Sequence, residues 1–229
     1  LSPFSDEYLR ERYFYGGRVE CLQGAGEFNG DYKLYDVNSM YPFVMQQPLP
    51  MQYIASSRKL LEKDYGFVYA DVHVPEMYMP ILPVQREKLF FPTGRIKSVW
   101  TSEELLHAES LGCKIHKIMK AVYFRTSDIF REFIGKLYRM KKEADEPERT
   151  IAKYLMNSFY GKFGQSPLKK VYCTEAAAPA HSTPIVNPQT GRSTGFAFYE
   201  RRSNAAHLLP HLSAAVTSKA RLHLLGQLT

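Results

Sequence analysis

The sequence predicts an α+β fold, and three observations lead to this prediction. Residues 66–74 alternate between apolar and polar and predict a strand, and residues 114–124 predict another. Apolar residues at helical spacing predict a long helix from about 127 to 144 and another at 211–225. A further helix is predicted at 148–160, and the short turn before it makes this pair of helices an antiparallel hairpin.

The composition indicates a folded protein with an anionic partner. The chain has 229 residues, of which 45% are hydrophobic, so it can bury a core. Its net charge of +7 favours a polyanion. Aromatic residues make up 14% and are interleaved with basic ones, which suits single-stranded nucleic acid but equally suits a Tyr-rich core and surface.

Cysteine usage and hydropathy argue against a secreted, disulfide-linked protein and against a membrane protein. Cys21, Cys113 and Cys173 lie far apart, which predicts free thiols and a reducing compartment. No apolar run reaches membrane-spanning length and no secretory signal is visible, so we expect neither a membrane partner nor secretion. The missing initiator Met suggests a fragment or a processed chain.

Shorter elements are predicted between these landmarks. A short helix is expected at 4–14, and strands at 18–22 and 32–37. Residues 88–92 and 96–100 read as the two strands of a hairpin around Thr93-Gly94.

Two further segments complete the predicted order of elements. Thr101-Ser102-Glu103-Glu104 is typical of a helix start, with a hydroxyl cap and acids in the first turn. The stretch 164–206, rich in Pro, Ala, Ser, Thr and Gly, predicts a long hairpin or loop.

Asp36 is the first candidate for chemistry. It follows an apolar run-in and is expected at the end of a strand that Pro42 terminates. A carboxylate there, with Ser39 and Tyr41 close behind, could bind a metal and a phosphate. An Asp at such a junction is also typical of an ordinary turn.

The helix at 148–160 carries the second candidate site. Arg149, Lys153, Asn157 and Tyr160 stand at i, i+4, i+8 and i+11 and form one stripe. The cations could bind phosphate oxygens and the ring could stack on a base, with Lys141 adding a third positive charge. A solvated basic face would have the same pattern. Residues 151, 155 and 159 are expected to form a separate, apolar face.

A glycine pair near the start is the third candidate. Gly16 and Gly17 stand between Tyr15 and Arg18, so the backbone could approach a phosphate chain closely. An ordinary Gly-Gly turn explains the same residues.

Together these motifs resemble those of the protein-primed family B DNA polymerases of linear plasmids, phages and related elements. Residues 36–42 (DVNSMYP) resemble motif A, and residues 153–161 (KYLMNSFYG) resemble motif B. Residues 14–17 (FYGG) resemble the Tyr-x-Gly-Gly element, although Phe14 stands where the family has Tyr. Residues 217–221 (TSKAR) resemble a Thr-x-x-(Gly/Ala)-Arg primer-contact motif. The same motif B argues against a reverse transcriptase or RNA polymerase.

The resemblance implies roles for individual residues. Asp36, with the carbonyl of Val37, would hold two Mg²⁺ (or Mn²⁺) ions, and Asp36 would be catalytic. Tyr41 would exclude a ribose 2′-OH. The residues implied to bind dNTP are Ser39, Met40, Tyr41, Lys141, Arg149, Lys153, Asn157 and Tyr160. Those implied to contact the DNA template-primer are Tyr15, Gly16, Gly17, Ser158, Gly161, Lys162, Thr217 and Arg221.

The resemblance also implies a domain organisation and a terminal protein as a primer. Palm and fingers are the polymerase subdomains that hold the catalytic acids and the incoming nucleotide. The implied segments are a linker and first palm segment (1–50), an α+β insertion resembling the terminal-protein region (51–125), a fingers helical hairpin (126–163), a loop or hairpin insertion (164–206) and the start of the returning palm (207–229).

One departure from the family pattern affects the expected activity. Family members carry a second catalytic aspartate in a Tyr-x-Asp-Thr-Asp-Ser motif, and no Asp follows Asp145 here. We therefore expect a central polymerase fragment that is inactive alone, and a catalytically dead module that only binds nucleic acid is the alternative. A mitochondrial linear plasmid and a viral genome remain equally open as the source.

Overall fold

The computed structural model describes residues 14–20, 26–27, 29–31, 33, 36–166, 168–201 and 208–228. Two compact units are present, one comprising Leu1–Gly164 with Leu209–Thr229 and the other comprising Gln165–Leu208. The predicted α+β class is confirmed, because the larger unit combines an antiparallel sheet with helices.

The larger unit contains two small strands, four longer ones and five helices among its described residues. In chain order these are α1 (Met40–Met45), β1 (Leu49–Ser57), β2 (Tyr65–Val74), β3 (Val84–Gln85), β4 (Leu89–Phe90), β5 (Gly94–Thr101), α2 (Ser102–Ser110), β6 (Lys114–Ser127), α3 (Arg131–Glu143), α4 (Glu148–Phe163) and, after the second unit, α5 (Pro210–Leu228).

The four longer strands form one antiparallel sheet in the order β1-β6-β2-β5. Strand β2 is central and almost fully buried, with Phe67 opposite Val122 of β6 and Thr101 of β5. Trp100 is also buried, and its indole N–H donates to the Pro83 carbonyl at 2.8 Å. The core of the larger unit therefore lies along this sheet and the elements packed against it.

The predicted hairpin of residues 88–92 with 96–100 is wrong. Strand β4 pairs with β3, whereas β5 pairs with β2. Pairing with β2 buries Val99 and Trp100 in the core, which a small exposed hairpin could not do. Gly94 has a φ of 88°, which lets the chain change direction between β4 and β5.

Helix α2 begins as its sequence predicts. The Thr101 hydroxyl accepts from the Glu104 backbone N–H at 3.2 Å, and the Glu104 carboxylate accepts from the Thr101 N–H at 3.1 Å. This reciprocal capping box satisfies two backbone donors that the first turn leaves free.

Helices α3 and α4 form the predicted antiparallel hairpin. Phe130, just before α3, packs edge-on against Phe159 near the end of α4, with ring centroids 4.9 Å apart. Phe163, the last residue of α4, stacks on the Phe130 ring with centroids 5.3 Å apart. Contact between the start of one helix and the end of the other requires antiparallel packing.

The buried face of α4 differs from the predicted one at two of its three positions, since only Phe159 packs against the core. Ala152 and Met156 are buried, whereas Ile151 and Leu155 are 50% and 48% exposed. Residues one position apart on a helix point about 100° apart, so packing through 152 and 156 turns 151 and 155 outward. Apolar spacing alone did not decide between these two faces.

The environment of Asp36 also differs from prediction. Asp36 and Val37 are not in a strand, and Pro42 lies inside α1 instead of ending a strand. Pro is tolerated there because the first turn of a helix leaves its N–H groups unpaired. Residues 18–20 of the predicted strand 18–22 are irregular. The rest of that strand, residues 32, 34 and 35 of the predicted strand 32–37, and residues 4–13 lie outside the described residues.

The second unit is a three-stranded antiparallel sheet. Its strands are β7 (Leu168–Cys173), β8 (Thr183–Val186) and β9 (Ser193–Arg201), in the order β7-β9-β8. The central strand β9 pairs with both neighbours, so the stretch predicted as a hairpin or loop has one strand more than a hairpin.

Within the described residues, no helix has the length and apolar character needed to cross a lipid bilayer. Cys113 and Cys173 are both free thiols.

Candidate active site

The loop before α1 holds Asp36 in the wall of a cavity. Ser39 has a left-handed backbone (φ 55°, ψ 49°), which is uncommon for a residue other than Gly and is typical of functional loops. Its carbonyl accepts from the Phe43 N–H at 2.9 Å and so begins α1. Its hydroxyl does not cap that helix but accepts a hydrogen bond from the Lys141 ammonium at 3.0 Å.

The cavity has a volume of about 480 Å³, which is within the range of small-molecule sites. Three separate elements contribute to its wall: the loop with α1, helix α3 and helix α4. The lining residues are Asp36, Val37, Asn38, Ser39, Met40, Tyr41, Lys141, Lys153 and Asn157. Two ammonium groups and one carboxylate therefore face the same space, which suits a polyanionic ligand with a bound cation.

Two aromatic rings lie beside the cavity. Tyr41 stacks on Tyr160 of α4, with centroids 4.4 Å apart and planes 27° apart. Burial, and to a smaller extent the neighbouring Tyr41, raise the pKa of the Tyr160 phenol well above its ordinary value. The phenol is therefore neutral throughout the physiological pH range and adds no negative charge to the site.

Comparison with known proteins assigns this chain to a protein family. The model of "DNA polymerase type B, organellar and viral" matches residues 2–183. The chain belongs to this family.

Individual relatives agree with that membership. A probable DNA polymerase of Podospora anserina is 34% identical over 160 residues, covering 68% of this chain and 13% of the relative. One from Ascobolus immersus is 28% identical over 236 residues, covering 94% and 19%. The chain thus spans less than a fifth of the length of these fungal relatives.

A solved structure shares the fold. Phi29 DNA polymerase complexed with primer-template DNA superimposes with a TM-score of 0.67 at 19% identity, over 97% of this chain and 39% of that one. The predicted family B polymerase is therefore confirmed as the family, and the fold agrees with that of a polymerase region.

The described lining of the cavity includes one acidic side chain. Asp36 is the only carboxylate among the described residues that line the cavity, and the described part of the chain holds no group of three or more His, Cys, Asp or Glu side chains that could hold a metal ion. Carboxylate and carbonyl oxygens are ligands that Mg²⁺ accepts. One carboxylate fits a single ion, but it does not by itself fit a pair of ions.

The predicted dNTP-binding residues fall into two groups. The residues that line the cavity are Ser39, Met40, Tyr41, Lys141, Lys153 and Asn157, whereas Tyr160 is not among the lining residues and stacks on Tyr41. Arg149, one turn before Lys153, is exposed and is not among the lining residues. Its predicted phosphate contact stays a prediction.

Three of the predicted DNA-contacting residues, Tyr15, Thr217 and Arg221, are buried instead of exposed. Arg221 is 5% exposed, and its guanidinium donates to the Glu104 carboxylate at 2.6 Å and to the Gly16 carbonyl at 2.7 Å. The Thr217 hydroxyl donates within α5 to the Ser213 carbonyl at 3.2 Å. The observed contacts of the Arg221 and Thr217 side chains are internal.

Tyr15 and the remaining predicted DNA contacts have mixed environments. The Tyr15 ring is buried and its hydroxyl donates to the Val99 carbonyl at 3.0 Å. Ser158 and Lys162 are exposed, and Gly161 is partly so.

Sequence reasoning missed Glu104 as a partner of Arg221. Its only visible signal was an acid in the first turn of α2, which the capping box explains by itself. The second carboxylate oxygen is the one that binds Arg221, across 117 residues of chain.

Proposed function

We propose that this chain is part of a DNA-directed DNA polymerase that adds dNTP to a primer 3′-OH on a DNA template. The observation that carries the proposal is the single cavity shared by motif A and motif B residues. It combines Asp36, Ser39 and Tyr41 with Lys141 of α3 and Lys153 of α4. These groups match the parts of a nucleoside triphosphate.

The ligand's parts are assigned by charge and shape. Lys141 and Lys153 bind phosphate oxygens, because ammonium groups neutralise and donate to them. Tyr41, backed by Tyr160, contacts the sugar and excludes a 2′-OH. Asn157, which follows Lys153 by one turn of α4 and also lines the cavity, is left to contact the sugar or base.

Divalent metal supplies the remaining chemistry. Mg²⁺ or Mn²⁺, held by Asp36 and the Val37 carbonyl, would activate the 3′-OH and stabilise the leaving pyrophosphate. A two-metal mechanism needs another carboxylate than the one in this cavity. We propose that it comes from a part of the complete polymerase beyond these residues, and that this stretch alone does not incorporate nucleotides.

The nucleic-acid partner is proposed from the charge and from the related structure. The net charge of +7 favours a DNA backbone, and the related phi29 polymerase has been solved with primer-template DNA. Gly16, Gly17, Ser158 and Lys162 are the proposed contacts. Priming by a terminal protein is proposed from the resemblance to the protein-primed subgroup.

The second candidate function is binding of nucleic acid without catalysis. The observation that favours it is that the described residues lining the cavity include one carboxylate. A dead module and an incomplete active site differ in what the complete protein does.

The test compares the complete polymerase with its Asp36→Asn variant in primer extension with Mg²⁺. We expect the variant to lose at least about a hundredfold in incorporation, because the metal loses its carboxylate. Asp128→Asn is the matched control, since Asp128 pairs with Arg131 on the surface and does not line the cavity. No incorporation by the wild type would support the binding module, and equal incorporation by the wild type and Asp36→Asn would refute the assignment of Asp36.

A further inference from the structure

Gly17 lies directly against the hydroxyl of Tyr41. A Cβ built at position 17 would be 2.9 Å from the Tyr41 hydroxyl oxygen, closer than a side-chain carbon approaches such an atom in folded proteins. Any residue larger than Gly at this position must therefore displace the Tyr41 ring or move the turn.

The neighbouring Gly16 has no such contact with Tyr41 or with any other described residue. A Cβ at position 16 would meet nothing within 4 Å. Neither Gly16 nor Gly17 is among the positive-φ residues, so the backbone of both positions can accept Ala. The difference between the two glycines is the contact with Tyr41.

The turn that carries Gly17 is held in place by buried contacts. Arg221 donates to the carbonyls of Tyr15 at 3.2 Å and Gly16 at 2.7 Å, and its guanidinium is itself paired with Glu104. The Tyr15 hydroxyl is within 2.7 Å of the Ser98 hydroxyl on β5. Moving this turn would break contacts of a buried ion pair, so the ring is the part that gives way.

The Tyr41 ring is held from a second side by α4. The hydroxyl of Tyr41 lies against Gly17, and the ring stacks on the ring of Tyr160. The Tyr160 carbonyl in turn accepts a hydrogen bond from the Ser213 hydroxyl of α5. Both sides of the ring are thus built on packed elements.

We propose that Gly17 is a positioning residue for sugar selection. By having no side chain, it sets how far the Tyr41 ring can withdraw from the nucleotide pocket and thereby tunes the preference for dNTP over rNTP. This inference rests on the proposed function of Tyr41, and it assigns to Gly17 a role separate from contact with DNA.

The test measures single-nucleotide incorporation by the complete polymerase with dNTP and with the matching rNTP. Gly17→Ala should raise the KM for dNTP and raise the dNTP/rNTP ratio of kcat/KM on the order of tenfold, because a ring that can no longer withdraw crowds the sugar and crowds a 2′-OH most. Gly16→Ala is the control. A loss of DNA binding lowers kcat/KM for dNTP and rNTP alike and cancels in their ratio. The dNTP/rNTP ratio of Gly16→Ala should therefore equal that of the wild type.

A double variant links the effect to the contact itself. Tyr41→Phe removes the atom that a Cβ at position 17 would meet, so adding Tyr41→Phe to Gly17→Ala should return most of the ratio seen with Tyr41→Phe alone. If Gly17→Ala does not fold, the double variant should fold. Failure of both to fold would overturn the proposal.

The outcomes separate this inference from the proposed function. A wild type that incorporates no dNTP refutes the proposed function and, with it, the role of Gly17. A wild type that selects dNTP, together with equal ratios for Gly17→Ala and Gly16→Ala, refutes the positioning role alone.

Discussion

At the scale of single residues, the cavity depends on where a few charges lie. Lys141 reaches the Ser39 hydroxyl at 3.0 Å, so a side chain of α3 is oriented toward the motif A loop. This hydrogen bond holds the Lys141 ammonium at the cavity, where a phosphate could replace the Ser39 hydroxyl as its acceptor or bind beside it. Adjacent lysines on the same helix need not share that role.

Lys141→Met should raise the KM for dNTP about tenfold while changing kcat less, because a phosphate contact in the ground state is lost. Lys142→Met is the matched control, since Lys142 is exposed and is not among the described residues that line the cavity. Steady-state kinetics of the complete polymerase measure both. Equal KM values for the two variants would argue against a phosphate contact by Lys141.

At the scale of elements, the start of α2 joins two parts of the larger unit. One oxygen of Glu104 caps the helix and the other pairs with Arg221 of α5, where the two side chains are 2% and 4% exposed. The neighbouring Glu103 pairs with Lys219 at 2.6 Å, but its side chain is 38% exposed. Two adjacent acids thus form ion pairs in very different surroundings.

Glu104→Gln should lower the free energy of unfolding by about 3 kcal/mol, because it leaves the buried Arg221 charge without a counter-ion. Glu103→Gln should cost no more than about 1 kcal/mol, as expected for a partly exposed pair. Denaturant unfolding of the wild type and of both variants measures the two losses in the free energy of unfolding. Equal losses would mean that burial does not set the strength of these pairs.

Strand pairing also places a charge cluster on the sheet. Asp71 of β2 is buried and accepts from Arg95 of β5 at 2.9 and 3.0 Å, with Lys97 at 3.5 Å. The hydrogen bond from Arg95, and then its charge and that of Lys97, hold the pKa of Asp71 below its ordinary 3.8. The folded state thus binds this proton more weakly than the unfolded state.

The sign of the pH effect follows from that lowered pKa. The contribution of Asp71 to stability is complete above its ordinary pKa of 3.8 and is lost as the pH falls through the lower folded-state value. Asp71→Asn should therefore weaken the loss of melting temperature between pH 5 and pH 3, relative to wild type. Asp145→Asn, in the exposed turn between α3 and α4, should leave that loss unchanged. An unaltered slope in Asp71→Asn would contradict the assignment.

At the scale of the whole molecule, the second unit is inserted between two points that lie close together. The Leu209 N–H donates to the Phe163 carbonyl at 2.9 Å, so the chain leaves α4 and returns to α5 at nearly the same place. Each unit has its own sheet. Such an arrangement separates the folding of the larger unit from that of the insertion.

Replacing residues 166–207 by a short Gly-Ser linker should leave the larger unit folded. We expect the complete polymerase with this deletion to keep its main thermal transition within about 4 °C, equivalent to about 1 kcal/mol. It should also still extend a primed single strand. Loss of that transition would show that the larger unit needs the insertion. Cutting instead within β2, at the centre of the main sheet, provides the control that should unfold it.

The sequence by itself determined the family, the α+β class and most elements. Motif spacing predicted Asp36 and Lys153, which line the cavity, and Tyr160, which stacks on Tyr41, because local sequence sets which side chains share a helix stripe or a loop. The capping box at Thr101 was visible for the same reason: its partners are three residues apart. Local geometry follows from local sequence.

Only the tertiary structure decided which partners meet across long stretches of chain. It paired β5 with β2 instead of β4, turned Ala152 instead of Ile151 inward, and joined Glu104 to Arg221. It also set Gly17 against Tyr41. These choices depend on which arrangement buries the most apolar surface while leaving no buried charge unpaired, and that is a property of the packed molecule and not of any one segment.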